Sequence, residues 1–345
     1  MQKISPPTRV KIIARGNDSY PWKKQILGNS DSWNNCKFVF DRNSNDYNWL
    51  VVIDDLSRGH SSVPEVLRCA DEHTLLVTTE PPTITRYGKS FAAQFEHVLT
   101  SQSEQALPHS KRIYSHTGNL WFSGRSYDEI VETGIPKKNA SLSTVCSSKQ
   151  QRHTIHKSRY DFTYWLKQKL PELDIFGHGI RFIKNKYEAT DRYRYHLAIE
   201  NYIGLHHWTE KLADPYLSST VPIYYGCPNI NKYFPKDSYI AIDINNPEEA
   251  YDTIRSCITK PEDYSSRLGA LREAKRLILN EYNLLAMINQ IICTHYSPTR
   301  KTSGRLLYNR KQMRYRHPKD LISHLYWSSK RHWNNKSQKN DRSLQ

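Results

Sequence analysis

At 345 residues the chain is too long for one ordinary hydrophobic core and suits two domains. No apolar run approaches the roughly 20 residues that cross a bilayer, and the opening MQKISPPTRVKIIARG lacks the apolar stretch of a secretory signal, so a cytoplasmic setting is expected. The formal charge of +16 suggests nucleic acid until its distribution is read: residues 300–345 hold 13 Lys and Arg against two Asp, leaving only +5 for the 299 residues before them, so the charge belongs to a tail and not to a binding face.

The predicted elements begin with short β-type runs at residues 10–14 (VKIIA), 37–40 (KFVF), 48–56 (NWLVVIDDL) and 73–80 (HTLLVTTE). They are apolar on both faces and rich in Val, Ile and Leu, as buried parallel strands are. Residues 97–102 (HVLTSQ) add a further short strand. Strands alternating with connections imply a doubly wound sheet. Residues 133–151 open with Gly, Pro, Lys and Asn and turn strand-like at 142–146, which places a domain boundary near residue 140.

A second alternating set follows. A helix fits 157–170, strands fit 173–177 (LDIFG) and 193–201 (YRYHLAIEN), and a helix starts near Thr209 with Pro215 limiting it. Strands at 221–226 (VPIYYG) and 239–243 (YIAID) come next, then a helix start at Asn246-Pro247-Glu248-Glu249. Apolar periodicity over 264–292 predicts one long helix packing back on the core. The resulting expectation is an α/β chain of two Rossmann-like halves facing a cleft, 1–140 and 141–298, with a basic aromatic tail at 299–345. In that tail Leu321, Ile322, Leu325, Tyr326 and Trp333 form one face of a basic amphipathic helix after Pro318, a pattern suited to an anionic membrane surface. A solvated end is the plainer reading of the same residues.

Six cysteines (Cys36, Cys69, Cys146, Cys227, Cys257, Cys293) lie far apart without metal-ligand spacing, which fits reduced thiols. Asp54-Asp55 follows a strand and reads as a strand-end or loop device, not as a metal pair.

The most informative stretch is YRYHLAIEN…HHWTEKLADPYLSSTVPIYYGCPNINKYFP, residues 193–235. A strand emptying into a charged helix N-terminus is where α/β proteins hold nucleotide phosphates. The stretch resembles the donor-binding segment of the glycosyltransferase family 10 fucosyltransferases, in which a Y-K/R-F/Y-x-L-x-F-E-N strand precedes T-E-K and then V-P-I/V-x-x-G. Residues 158–179 (SRYDFTYWLKQKLPELDIFGHG) resemble the family's R-x-x-F-x-x-x-L…D-x-x-G element, and TTEP at 78–81 resembles its T-G-E element. The resemblance is dense over 143–258, thinner over 47–127 and absent beyond about 300. It implies the GT-B fold, two Rossmann-like domains with the sugar nucleotide held mainly by the second, and transfer of L-fucose from GDP-L-fucose to an acceptor hydroxyl with inversion. Acceptors in the family are N-acetyllactosamine-type chains, lipopolysaccharide sugars or glycoprotein cores.

Such chemistry needs a base for the acceptor hydroxyl and cations for the departing diphosphate. Glu80, at the carboxyl end of a buried strand, is the candidate base, and partial burial there would raise its pKa. A capping or surface Glu is the alternative from position alone. Arg159 and Lys211 are the candidate phosphate partners, a planar fork and a point charge near helix N-termini. Read by itself, Arg159 is one basic residue on a solvated face; Phe162 and Leu166 at the family spacing favour the functional role. By the resemblance Glu210 contacts ribose or sugar, while Glu200 and Asn201 shape the donor pocket. Thr209-Glu210-Lys211 is also an ordinary helix start with Thr209 as N-cap.

The sequence departs from the family at Ile199 (usually Phe), Thr79 (Gly) and His207 (often Tyr); a histidine beside the diphosphate would make activity pH-sensitive. Trp121, Phe122 and Tyr127 are placed either to stack on sugars or to fill a core. No metal is required for the leaving group, and stimulation by a divalent cation is left open. The competing readings are a GT-B enzyme for another nucleotide sugar and, in a different class, a basic nucleic-acid-binding protein.

Overall fold

The computed structural model describes residues 7–14, 20–56, 63–148, 154–260, 262–297 and 302–340, with only the backbone of the last ten. The chain divides into two units: the described residues up to Gly118 together with those from Leu284 onward, and Asn119–Asn283.

The first unit begins with β1 (Thr8–Ala14), β2 (Ser32–Trp33), β3 (Cys36–Val39), β4 (Trp49–Ile53), β5 (Glu65–Val66), β6 (Thr74–Thr78), α1 (Lys89–Ala92), β7 (His97–Thr100) and β8 (Arg112–Tyr114). Its main sheet has the order β2-β3-β1-β4-β6-β7-β8. Neighbours are parallel except in the β2–β3 pair. β4 and β6 are buried at every position, so their unbroken apolar runs are those of strands covered on both faces. The strands expected at 48–56, 73–80 and 97–102 all form and end earlier, where Asp54, Thr79 and Ser101 replace the apolar residues.

The second unit contains α2 (Tyr127–Thr133), β9 (Ala140–Val145), α3 (His156–Lys169), β10 (Leu173–Phe176), β11 (Tyr193–Ile199), α4 (Glu210–Leu217), β12 (Val221–Tyr225), β13 (Ile240–Ala241), α5 (Pro247–Thr259), α6 (Asp263–Ser266) and α7 (Leu268–Asn280). Its sheet is fully parallel in the order β10-β9-β11-β12-β13. The connection before β9 belongs to this unit and not, as a boundary near 140 would have it, to the first. Trp121 and Ile130 sink into the second unit's core at 1% and 2% exposure. Trp121 is therefore a core residue, Tyr127 is half-buried with its hydroxyl donating to Asn280 Oδ1, and Phe122 is exposed.

The long helix expected over 264–292 is three helices, the last being α8 (Leu284–Thr294). The N–H groups of Glu281 and Tyr282 both donate to Leu277 O, at 2.9 and 2.8 Å, which closes α7. The Tyr282 ring then turns into an aromatic cluster with Trp208, Tyr233 and Phe234. Burying that ring outweighs continuing the helical pattern.

The segment expected as a separate tail also differs. β14 (Leu306–Leu307) pairs antiparallel with β5, and Leu307 and Met313 of α9 (Arg310–Arg316) lie in the first unit's core. α10 (Pro318–Asn340) follows and is tied to the same unit through Ser90 N–H donating to Asp320 Oδ2 at 2.9 Å. Ile322, Leu325 and Tyr326 on this helix are exposed and Leu321 is partly covered; the Trp333 side chain lies outside the described residues. Among the described residues no helix is long and apolar enough to cross a membrane.

Candidate active site

In the second unit the chain leaves β9 for the edge strand β10, then crosses back past β9 to β11. The connections around β9 and β11 therefore depart in opposite directions, and their carboxyl ends open the crevice in which doubly wound sheets bind ligands. A pocket of about 230 Å³ lies there. Its wall comes from Thr144 and Val145 at the end of β9, Ser147 beyond it, the carboxyl half of β11 with Asn201, the first turns of α3 and α4, and the β10–β11 connection. Two helix N-terminal turns at one pocket favour an anion.

Arg159 is drawn inward because it shares a helical stripe with Phe162, Thr163 and Leu166, all buried. It is 6% exposed. One guanidinium nitrogen, Nη1, donates to Asn201 Oδ1 at 2.8 Å, and Nε has no hydrogen-bond partner among the described residues. A buried guanidinium that lines a pocket and keeps an N–H without a partner among the described residues has the chemistry to take a further acceptor such as a phosphate oxygen.

Lys211 enters from α4. Thr209 is the N-cap, its Oγ1 accepting from Lys211 N at 3.3 Å. The cap is itself fixed by Glu200, whose two oxygens accept from Thr209 N–H and Oγ1–H at 2.8 Å each. Glu200 is wholly buried and stands behind the pocket; burial pushes its carboxyl up although Lys211 Nζ lies 3.8 Å away. Asn201 and Glu210 line the pocket. Lys211 Nζ reaches Glu210 Oε1 at 3.1 Å. Desolvation works against ionising Glu210, but Lys211 and Lys186 outweigh it and hold the carboxyl well below the usual range.

Gly226 makes the Glu200 arrangement possible. A Cβ built there would stand 2.5 Å from Glu200 Cγ and 2.3 Å from the Tyr224 hydroxyl. Gly226→Ala is expected to cost about 3 kcal/mol by overpacking and to displace the Thr209 cap. Thermal denaturation with and without nucleotide checks both effects, and an unchanged melting temperature would contradict them.

Two charged pocket residues, an acid and a base, escaped the sequence reading. Lys186, on the connection between β10 and β11, lies 3.0 Å from Asp214 Oδ2 and 3.7 Å from Glu210 Oε1. Desolvation lowers its pKa, yet these two carboxylates raise it overall and keep the ammonium charged. Asp214 is 5% exposed. The signal for Asp214 was its place four residues after Glu210, on the same helical face. For Lys186 it was the necessity that the β10–β11 connection pass the switch point.

His207 lies outside the pocket lining, packed edge-on against Tyr202. Burial first, then Lys211, push it down to about 4, so it stays neutral through the physiological range and the expected pH sensitivity near the diphosphate is not supported. His196, which does line the pocket, is pushed to about 3 by burial. The unfolded chain takes up these protons near pH 6.5 and the folded chain only below 4. The contribution is therefore intact above 6.5 and lost as pH falls, by up to about 3 kcal/mol for His207 alone. Denaturation midpoints at pH 7 and pH 4.5 are expected to differ accordingly; equal midpoints would contradict it.

In the first unit, Glu80 follows β6. Its N–H donates to the Tyr87 hydroxyl at 3.2 Å and its carbonyl accepts from Gln102 Nε2 at 2.8 Å. Asp54, in a left-handed conformation (φ 63°), accepts from Thr79 N–H at 2.7 Å and from the hydroxyls of Thr79 and Tyr87. Asp55 accepts from Arg310 N–H at 3.0 Å. The pair thus organises the strand end and α9, as its strand-end reading has it. Glu80 is exposed, which corrects the expectation of partial burial: the strand's apolar run stops at Val77, and the chain turns outward before Pro81-Pro82.

Two units, each built on a mainly parallel sheet, with a pocket at the switch point of the second, give the chain the GT-B fold. A crystal structure of an alpha1,3-fucosyltransferase has the same fold, with a TM-score of 0.51 at 16% identity over 87% of this chain and 93% of that one. Residues 135–300 match the family model described as glycosyltransferase family 10 (fucosyltransferase), C-terminal. The chain is 38% identical to the alpha-(1,3)-fucosyltransferase FucT of Helicobacter pylori over 87 residues, 25% of this chain and 18% of that protein. It is 30% identical to GDP-fucose protein O-fucosyltransferase 3 of Gallus gallus over 86 residues, 24% of this chain and 18% of that protein. The matches thus span under a fifth of either relative. The matched region contains Arg159, Lys186, Glu200, Asn201, His207, Glu210, Lys211 and Asp214 but not Glu80.

Proposed function

We propose that the chain is an inverting glycosyltransferase that moves L-fucose from GDP-L-fucose to a hydroxyl of an acceptor glycan, in an α-1,3-type linkage. The observation that carries this reading is the buried Arg159 with an open Nε beside Lys211 and Lys186, at a pocket closed by two helix N-terminal turns. That set suits a diphosphate, and the family domain around it supplies the donor class.

In the proposed reaction Glu80 takes the proton of the acceptor hydroxyl. The acceptor oxygen bonds to the anomeric carbon of fucose on the face opposite the leaving group, and the bond from that carbon to the β-phosphate oxygen breaks. GDP departs carrying the extra negative charge, which Arg159 and Lys211 stabilise. Glu210 holds the ribose or sugar and competes for Lys211 until the diphosphate arrives. With three cations at the pocket no metal is needed for departure, and a divalent cation is at most a stimulant.

The test is calorimetric binding of GDP-fucose, GDP-mannose, UDP-galactose and GDP, with Lys211→Ala as control and EDTA in parallel. Selective binding of GDP and GDP-fucose, lost in the control and indifferent to EDTA, supports the proposal. Preference for a UDP sugar replaces the donor.

An oligosaccharide or glycolipid acceptor, such as a lipopolysaccharide sugar, is part of the same proposal. So is a peripheral cytoplasmic location, with the exposed Ile322, Leu325 and Tyr326 of the basic α10 resting on an anionic membrane. Substituting all three by Ser is expected to reduce partition onto anionic vesicles several-fold without altering stability. Equal partition of both proteins would remove the membrane role.

A further inference from the structure

Two of the buried side-chain polar atoms without a hydrogen-bond partner among the described residues belong to side chains lining the donor pocket, and they are opposite in kind. One is Arg159 Nε, a donor; the other is Asp214 Oδ1, an acceptor. A diphosphate accounts for the first. It cannot account for the second, because phosphate oxygens at neutral pH offer no hydrogen to a carboxylate.

Asp214 is placed as a recognition group. It is 95% removed from solvent and sits one helical turn after Glu210. Its other oxygen, Oδ2, is held by Lys186 Nζ at 3.0 Å, so the carboxylate is oriented and its charge is balanced. What remains is one buried oxygen, on a side chain that lines the pocket, with no partner among the described residues, and such an atom costs free energy unless a ligand satisfies it. The only ligand chemistry that does so is an N–H or O–H. A nucleotide sugar carries these on its base, its ribose and its sugar, and nowhere on its phosphates.

We infer that Asp214 is a donor-specificity residue: Oδ1 accepts a hydrogen bond from an N–H or O–H of the nucleotide sugar, with Lys186 positioning the carboxylate. The inference rests on the reading of this pocket as the donor site. It explains why a pocket assembled for an anion also keeps a buried carboxylate, since Asp214 then recognises the uncharged part of the same ligand. A site that hydrogen-bonds a substrate group in this way rejects analogues lacking it far more strongly than a shape-fitting apolar site does.

The experiment is calorimetry of the full chain and its Asp214→Ala variant with GDP, IDP, 1-methyl-GDP, 2′-deoxy-GDP, 3′-deoxy-GDP and GDP-fucose. IDP and 1-methyl-GDP report on the base, the deoxy compounds on the ribose, and GDP-fucose against GDP on the sugar. The native chain is expected to distinguish about 10-fold against the compound that lacks the contacted group, and Asp214→Ala to lose that discrimination. Lys186→Met, which removes the group that positions the carboxylate, is expected to weaken every nucleotide and to lower the discrimination, whereas Asp214→Asn, which keeps an acceptor oxygen, retains part of it and guards against a folding defect in Asp214→Ala. Affinity ratios identical in the native chain and Asp214→Ala, with GDP still bound by the native chain, would overturn the inference and leave Asp214 only its ion pair. Absence of GDP binding by the native chain would overturn the donor reading and this inference together.

Discussion

Glu80→Gln is expected to lower kcat by a factor of about 10² to 10⁴ and to leave the affinity for GDP-fucose unchanged. Gln keeps the size and shape of the side chain but cannot take the acceptor's proton. Glu80 is exposed, and its backbone bonds to Tyr87 and Gln102 are kept in the substitution. Steady-state rates at saturating donor, beside calorimetric donor affinity, separate the two quantities. A fall in kcat below tenfold would take the base role from Glu80. A parallel loss of donor affinity would make it a binding residue.

Arg159→Ala is expected to weaken GDP binding about 100-fold, the usual consequence of removing one partner from a desolvated charge pair. Arg159→Lys should recover only part of the loss. In the proposed complex the guanidinium would serve two acceptors in one plane, Asn201 Oδ1 through Nη1 and a phosphate oxygen through Nε, and an ammonium cannot reproduce that fork. The melting temperature without ligand is the control, since removing Arg159 also strips Asn201 Oδ1 of its donor. Wild-type affinity in the Ala variant would exclude Arg159 from the phosphate site.

Much of this arrangement is legible in the sequence where local and global preferences agree. The runs WLVVI and TLLVT have one solution, a strand buried on both faces, and they form it. Thr209 caps a helix by its own chemistry, and that places Lys211 at the pocket. Arg159 is legible only jointly with Phe162 and Leu166; alone it reads as surface.

The failures are non-local. The break after Asn280 depends on a tyrosine finding three aromatic partners far away in sequence. Lys186 lies in a connection with no motif of its own, and its role follows only from the strand order. His207 reads as a ligand from its neighbours, but burial takes it behind the wall. A compositional tail hides Leu307 and Met313, two apolar residues whose partners are about 200 or more positions earlier.

Those last contacts bear on the order in which the protein acquires its structure during synthesis. The second unit is one uninterrupted segment, Asn119–Asn283, and all its strands are available once that segment has left the ribosome. The first unit begins earlier but lacks β14 and Met313 until some 200 residues later. Its apolar floor, formed by residues such as Leu67, Phe91 and Leu107, stays uncovered through that interval. Exposed apolar surface of this kind is what chaperones bind and what drives aggregation. C-terminal truncations that keep the first unit's strands but end before Arg316 should therefore be poorly soluble for a reason unrelated to catalysis, and the piece expected to be obtainable by expression is the inserted unit, which carries the pocket around Arg159 and Lys211 by itself.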